Sequence, residues 1–256
     1  MDQNRKDSIA TIAAIGLLAY ASADVTHHAL GHGAACLALG GRIISLSSHY
    51  VDCSLHGAAI DLSGPFANLL IGGVAMLAAG RARRRASSTV LFCLLAAAFN
   101  LLWFMMQLAF SAATRTDDWA WAMHQLQVPE LLRFVLIAVG AVGYVMIVRV
   151  TAVQMAPFAR PRARAARITV TAWLTAGAIA CATAAFDPAV GTLLLRHILE
   201  QSLGLSIGLL FVPARAASLA AADRDASVLN FSWGWIGAAA IVGAASIALL
   251  GPGIAV

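Results

Sequence analysis

"SIATIAAIGLLAYASADVTHHALGHGAACLAL", residues 8–39, decides the fold class of this chain. It contains no lysine or arginine, and Asp24 is its sole acidic residue. A helix crosses a bilayer core with about 20 apolar residues, so the stretch is long enough to span. Its polar side chains gather in the second half, where Asp24, His27, His28 and His32 stand. Ionisable groups inside a membrane segment are costly and usually functional.

The rest of the chain repeats that composition. Of 256 residues, 61% are hydrophobic and 11% charged, with a mean hydropathy of +0.82. A soluble domain would carry roughly 25% charged residues. Seven stretches qualify or nearly qualify as spans: 8–39, 58–79, 87–112, 130–155, 168–186, 190–212 and 228–250. Phe186-Asp187-Pro188 separates the fifth from the sixth, so six to seven transmembrane helices are expected. The fold class expected is an all-α polytopic membrane protein. "RIISLSSHYV" within 41–57 adds β-branched residues in partial alternation, which predicts a short membrane-associated strand or hairpin around 43–52. Because apolar stretches recur to the end, a cleaved leader before a polar domain is not expected.

Charge sets an expected orientation. The net charge is +5, but the arginines sit in short clusters between apolar stretches, which argues against nucleic acid as a partner. Arg5 and Lys6, Arg81 to Arg85, Arg160 to Arg167, and Arg215 with Arg224 mark every second connection. Cytoplasmic loops collect such residues, so the N-terminus is expected in the cytoplasm. The Arg-rich "FARPRARAAR" (158–167) divides a core at 1–156 from C-terminal helices at 157–256 of unassigned role. Four cysteines, Cys36, Cys53, Cys93 and Cys181, form no CxxC pair. Three lie in apolar stretches, where cysteine behaves as a small hydrophobe, and no structural disulfide is expected.

His28 and His32 lie four apart and would share one face of an α-helix. That is the spacing by which HExxH helices present two imidazoles to one zinc ion. "HALGHGAACLALGGRI" resembles the corresponding helix of the site-2 protease family of intramembrane zinc metalloproteases. "LSGPFANLL" (62–70) resembles that family's GPxxN motif, supplying Gly64, Pro65 and Asn68. The resemblance covers about residues 8–125 and implies a zinc ion bound by His28, His32 and an aspartate from a later helix. "TRTDDWAWAM" offers that aspartate as Asp118, with Asp117 as the alternative; His49, His56 and His124 are fallback ligands. It further implies that Asn68 holds substrate backbone or polarises the scissile carbonyl. Asp24, one turn before His28, would orient an imidazole from behind. Asn100 and Gln107 share a face of the third stretch, and Arg196, His197 and Glu200 cluster in the sixth as an internal ion pair.

Ala29 occupies the position of the family's general-base glutamate. General acid–base help is typically worth about 10²- to 10⁴-fold, so the resemblance implies a nearly inactive protease. An introduced Glu-to-Ala substitution or a natural zinc-binding pseudoprotease, acting as partner or chaperone for membrane proteins, would both give this sequence. The expected substrate is a membrane protein or membrane-bound peptide cut in or near a transmembrane segment. The expected setting is the lipid bilayer of a bacterial-type inner (plasma) membrane, with the site nearer the extracytoplasmic face. A metal or proton pathway would need polar residues continuing inward, and 8–20 offers none.

Overall fold

A computed structural model describes residues 7–82, 87–159, 162–188, 190–219 and 228–254. The arginines at 5, 83–85, 160 and 224, and Lys6, lie outside these residues. The first apolar stretch forms α1 (Ile9–Val25), a π-helical segment Thr26–Gly33, and α2 (Ala34–Ala38) without interruption. A hairpin of β1 (Ile43–Leu46) and β2 (Val51–Cys53) follows. Then come α3 (Ala58–Ala82), α4 (Ser88–Thr114), the short α5 (Asp117–Gln125), α6 (Glu130–Met155) and α7 (Arg162–Ala184). Two short helices, α8 (Thr192–Leu199) and α9 (Val212–Leu219), precede α10 (Trp233–Ala245).

Among the described residues, six helices are long and apolar enough to cross a membrane, as a multi-pass membrane protein requires. In a bilayer core every backbone group must bond within the protein, and helices satisfy that segment by segment. Capping completes the ends: Ser8 and Ser87 accept from the amides of Thr11 and Val90. α4 is the central post, with 72% of its apolar window buried against 6% for α6. α6 therefore turns Leu131, Phe134, Val139 and Val142 outward, as lipid contact allows. One buried apolar cluster draws on both sides of the 156/157 division, from Ile12 and Leu94 to Ile168 and Leu209. α1 and α7 close on each other at Gly16, where an added Cβ would lie 2.6 Å from the Ala172 Cα. Small residues permit such contacts between membrane helices.

The sixth apolar stretch, 190–212, is not one span. It breaks into α8, a π-helical turn Glu200–Gly204, a 3-10 turn Ile207–Leu210 and the start of α9. Gly204, Gly208 and Pro213 weaken a continuous helix there. The chain before and after the segment is anchored at opposite ends of the bundle. Asp187 lies beside the hairpin through His49, while Leu229 lies beside Asp7 at the other end of α1.

The hairpin stands where the β-branched run predicted it, antiparallel, with Ile43 opposite Cys53 and Leu46 opposite Val51. On the outer edge of β1, Leu46 exchanges both backbone bonds with Ile254 at 2.9 Å. A disulfide joins Cys36 at the end of α2 to Cys53 in β2, with Cα atoms 6.1 Å apart. The expectation of no disulfide is thus corrected: a turn at Gly40-Gly41 folds the two cysteines together. Closing a loop of this length stabilises by about 3 kcal/mol in the chain-entropy description.

The opposite end of the bundle is held by Asp7. Its carboxylate accepts from Arg164 Nε at 2.7 Å, Arg164 Nη2 at 2.9 Å and the Leu229 amide at 2.9 Å. Burial works to raise the Asp7 carboxyl, but the Arg164 hydrogen bond, the Leu229 amide and the charges of Arg164 and Arg167 hold it below its ordinary value. A lowered carboxyl stabilises the fold above the unfolded-state value and loses that contribution as pH falls through the folded one. Asp7→Asn should lower unfolding stability in detergent by about 3 kcal/mol at neutral pH. The deficit should shrink as the medium is acidified below the ordinary carboxylate range. An equal loss at both pH values would show that the charge is not what matters.

Candidate metal centre

The π-helical segment controls the site. Its backbone bonds run from residue i to i−5, as from the Ala34 amide to the Ala29 carbonyl. Side chains five apart then stand over one another, whereas an α-helix pairs those four apart. His27 and His32 therefore share a face, and His28 is rotated off it. The sequence spacing predicted His28 with His32; the structure brings His27 with His32 instead.

α5 supplies the third group. Asp118 Oδ2 lies 3.1 Å from His27 Nε2 and 3.3 Å from His32 Nε2. The two imidazole nitrogens are 3.1 Å apart. All three side chains are buried, and among the described residues they form the one grouping able to hold a metal ion. A tetrahedral zinc ion with bonds of about 2.0–2.1 Å separates its ligand atoms by roughly 3.3 Å. The triangle already has that size.

The surrounding residues prepare the donors. His32 Nδ1 donates to the Ile60 carbonyl at 2.7 Å. With Nδ1 so engaged, His32 Nε2 faces the Asp118 carboxylate either as a protonated donor or, when neutral, with a lone pair that needs a metal cation between the two. Asn68 faces His27, with Nδ2 3.4 Å from Nδ1, and its Oδ1 is buried without a hydrogen-bond partner. A half-turn of the amide sets Oδ1 against Nδ1–H of His27, satisfying the oxygen and leaving the Nε2 lone pair for an ion. These residues fit a metal. Trp103 stacks on the His27 ring at 4.9 Å and 21°, which fixes its plane.

Gly31 and Gly64 mark the crossing of the π segment and α3. A Cβ on Gly64 would strike the His32 ring, and one on Gly31 would strike the Gly64 backbone. Pro65 lies inside α3 rather than in its first turn. It has no amide hydrogen, so the Asp61 carbonyl loses its usual helical partner.

Gln107 Nε2 donates to Asp118 Oδ2 at 2.8 Å and to Asp117 Oδ2 at 3.0 Å, so one amide holds both carboxylates. Asp117 adopts φ +74°, a left-handed conformation uncommon outside glycine. Burial works to raise the Asp118 carboxyl, but hydrogen bonds from His27 and His32 outweigh it and leave Asp118 ionised, well below the usual carboxylate range. Asp117 is pushed up to about 6 by burial and by the adjacent Asp118 charge.

The triad opens on a cavity of about 550 Å³. His28, Val51, Asp61, Asp117 and Trp121 line it on one side, and Arg196, His197 and Glu200 of the C-terminal half on another. Arg196 and Glu200 pair at 2.7 Å, as expected from their cluster. His49 also lines the cavity, but its Nε2 is 2.8 Å from Asp187 Oδ2. His56 is exposed in a loop, and His124 lines a separate cavity. Asn100 bonds to the Ala96 carbonyl of its own helix. Asn68 is fully buried behind His27, not on the cavity wall where a substrate-holding residue would stand. Ala29 is half-buried and does not line the cavity. The residue missed from sequence was His27. Its signal was the doubled histidine, which keeps a His beside leucine-glycine-histidine with one residue inserted.

Comparison with known protein families, characterised proteins and solved structures returns no match to this chain.

Asn68→Leu should weaken zinc binding about 10- to 100-fold, as loss of an outer partner typically does. Competition with a chelating dye would measure it. Unchanged affinity would remove Asn68 from the metal centre.

Proposed function

We propose that this chain is a membrane-embedded zinc-dependent peptidase, with the ion held by His27, His32 and Asp118. One observation carries the reading: three buried donor atoms of two histidines and an aspartate already lie at the spacing of a tetrahedral ion's ligands. Two neutral imidazoles and a carboxylate suit zinc, which leaves a fourth position open in catalytic sites. When bound, the ion supplies Lewis acidity, polarising a carbonyl and making water more acidic. The chain's own part is to orient the donors through Ile60, Asn68 and Gln107, and to wall the site from lipid.

The cavity suits an extended peptide. Val51 of β2 lines it, and among the described residues no strand pairs with the outer edge of β2. An unwound segment of a membrane protein can add to such an edge by backbone bonding. The site-2 protease resemblance of "LGHGAACLALGG" and "GPFAN" agrees with this reading, with the first ligand taken one residue earlier than its HxxxH spacing gives.

The same residues favour an orientation with the site toward the extracytoplasmic face of an inner (plasma) membrane. The disulfide Cys36–Cys53 lies at the metal end, and disulfides persist in oxidising compartments. Arg162, Arg164 and Arg167 lie at the other end with Asp7, where cytoplasmic cations collect.

Metal analysis of the purified chain tests the proposal. About one zinc per chain is expected, lost in His27→Ala, His32→Ala and Asp118→Ala. Zinc kept in His27→Ala but lost in His28→Ala would return the site to the pair four apart. A chain that takes up no zinc would end the peptidase reading.

A further inference from the structure

The residue after His27 is His28, and its surroundings differ from those of the other two rings. His28 is 3% exposed, yet it lines the cavity. Its Nδ1 is 3.2 Å from the Asp24 carbonyl oxygen and 3.3 Å from Asp24 Oδ1. The hydrogen bond goes to the carbonyl, and Oδ1, close by, is buried with no hydrogen-bond partner among the described residues. His28 Nδ1 therefore carries the hydrogen, and Nε2 carries the lone pair, with no partner among the described residues. Its ring centroid is 4.9 Å from that of His27 and 6.3 Å from that of His32, so His28 borders the triad.

A histidine whose Nδ1–H is held by a carbonyl with a carboxylate oxygen close by, and whose Nε2 is left free in a cavity, has the arrangement of a proton acceptor. The π turn supplies the register. It moves the first ligand back to His27, so the residue directly after that ligand is His28 and not Ala29. In HExxH the general base also directly follows the first ligand.

We infer that His28, backed by Asp24, is the general base of this site, so that the chain is catalytically competent despite Ala29. The inference rests on the zinc peptidase reading above. One proton of the attacking water passes to His28 Nε2 while the water oxygen bonds to the scissile carbonyl carbon. The positive ring formed lies beside Asp24, whose buried oxygen then gains a charged partner. As the carbon–nitrogen bond breaks, the same proton passes from Nε2 to the leaving amine nitrogen. Water and peptide give a carboxyl and an amine, and His28 returns to its starting state.

Asp117 is the rival acceptor, since it lines the same cavity. Its Oδ2 is engaged by Gln107, and Asp118 stands next to it in the chain. That oxygen is thus already tied to an amide donor, whereas His28 Nε2 has no such partner among the described residues.

The test uses the zinc-loaded full chain in detergent, with unfolded casein as the cleavage probe. The parent chain should cut casein, and His28→Gln should lower the rate by about 10²- to 10⁴-fold with zinc still bound. Ala29→Glu should bring no gain, because position 29 does not reach the cavity. A second readout needs no substrate: nitrogen NMR of the histidine-labelled, zinc-loaded chain. It should show metal ligation at His27 and His32, and a His28 ring protonated at Nδ1 with a bare Nε2. Zinc ligation at His28 would overturn the dyad. So would loss of cleavage in Asp117→Asn but not in His28→Gln, or a zinc-loaded parent that leaves casein whole. A parent without zinc would instead bring down the peptidase reading itself.

Discussion

The site depends on one local constraint, the π-helical turn from Thr26 to Gly33. Were it α-helical, His27 and His32 would lie on different faces, and the pair sharing a face would be His28 with His32. π turns are rare and concentrate at functional sites, because widening the helix must be offset elsewhere. The offset is visible on both sides. Gly31 lets α3 approach at Gly64, and the Ile60 carbonyl takes the His32 hydrogen. Immediately beyond, the Cys36–Cys53 bond ties the helix end to the hairpin, so the widened turn cannot relax by sliding.

The spans, the hairpin and the acidic pair were legible because each has a signal of its own. Length and hydropathy identify a membrane helix, and β-branched alternation identifies a strand. The π register has no such signal. It changes which residues share a face, but α1 is apolar on all faces, so inserting one residue disturbs no pattern. A polar stripe would have exposed the shift; here the histidines are nearly the whole stripe. The disulfide was hidden for a related reason, since a separation of 17 residues carries no spacing code and depends on the turn at Gly40-Gly41. The break in 190–212 has a signal in the sequence. Glu200, Gly204, Gly208 and Pro213 all oppose a continuous membrane helix.

The role of Asn68 illustrates a limit of motifs. A sequence match places an asparagine near a metal helix without saying which side of the ligands it occupies. Buried wholly behind His27, Asn68 acts on the imidazole and cannot meet substrate without moving it. Its amide can do what the Ile60 carbonyl does for His32, so the two rings are oriented by independent partners on the same helix, α3. That shared origin explains why Gly64 must lack a side chain. α3 has to come close enough to serve both rings at once.

Enclosure, by contrast, comes from the C-terminal half. The triad and its supports lie in the first 118 residues, but the cavity they open on is lined from the C-terminal half as well. Arg196 and His197 of α8 and Glu200 of the π-helical turn after it supply that lining, and the His49–Asp187 pair fixes the loop before α8 to the hairpin. Ile254 then pairs with Leu46 on the edge of β1 that faces away from β2. The hairpin is thus held on three sides, by the disulfide, by Asp187 and by the chain's last described residues. Among the described residues, the outer edge of β2, the strand whose Val51 lines the cavity, is left without a strand partner. A rigid hairpin with a single open edge beside the ligands gives an extended chain one way to approach them.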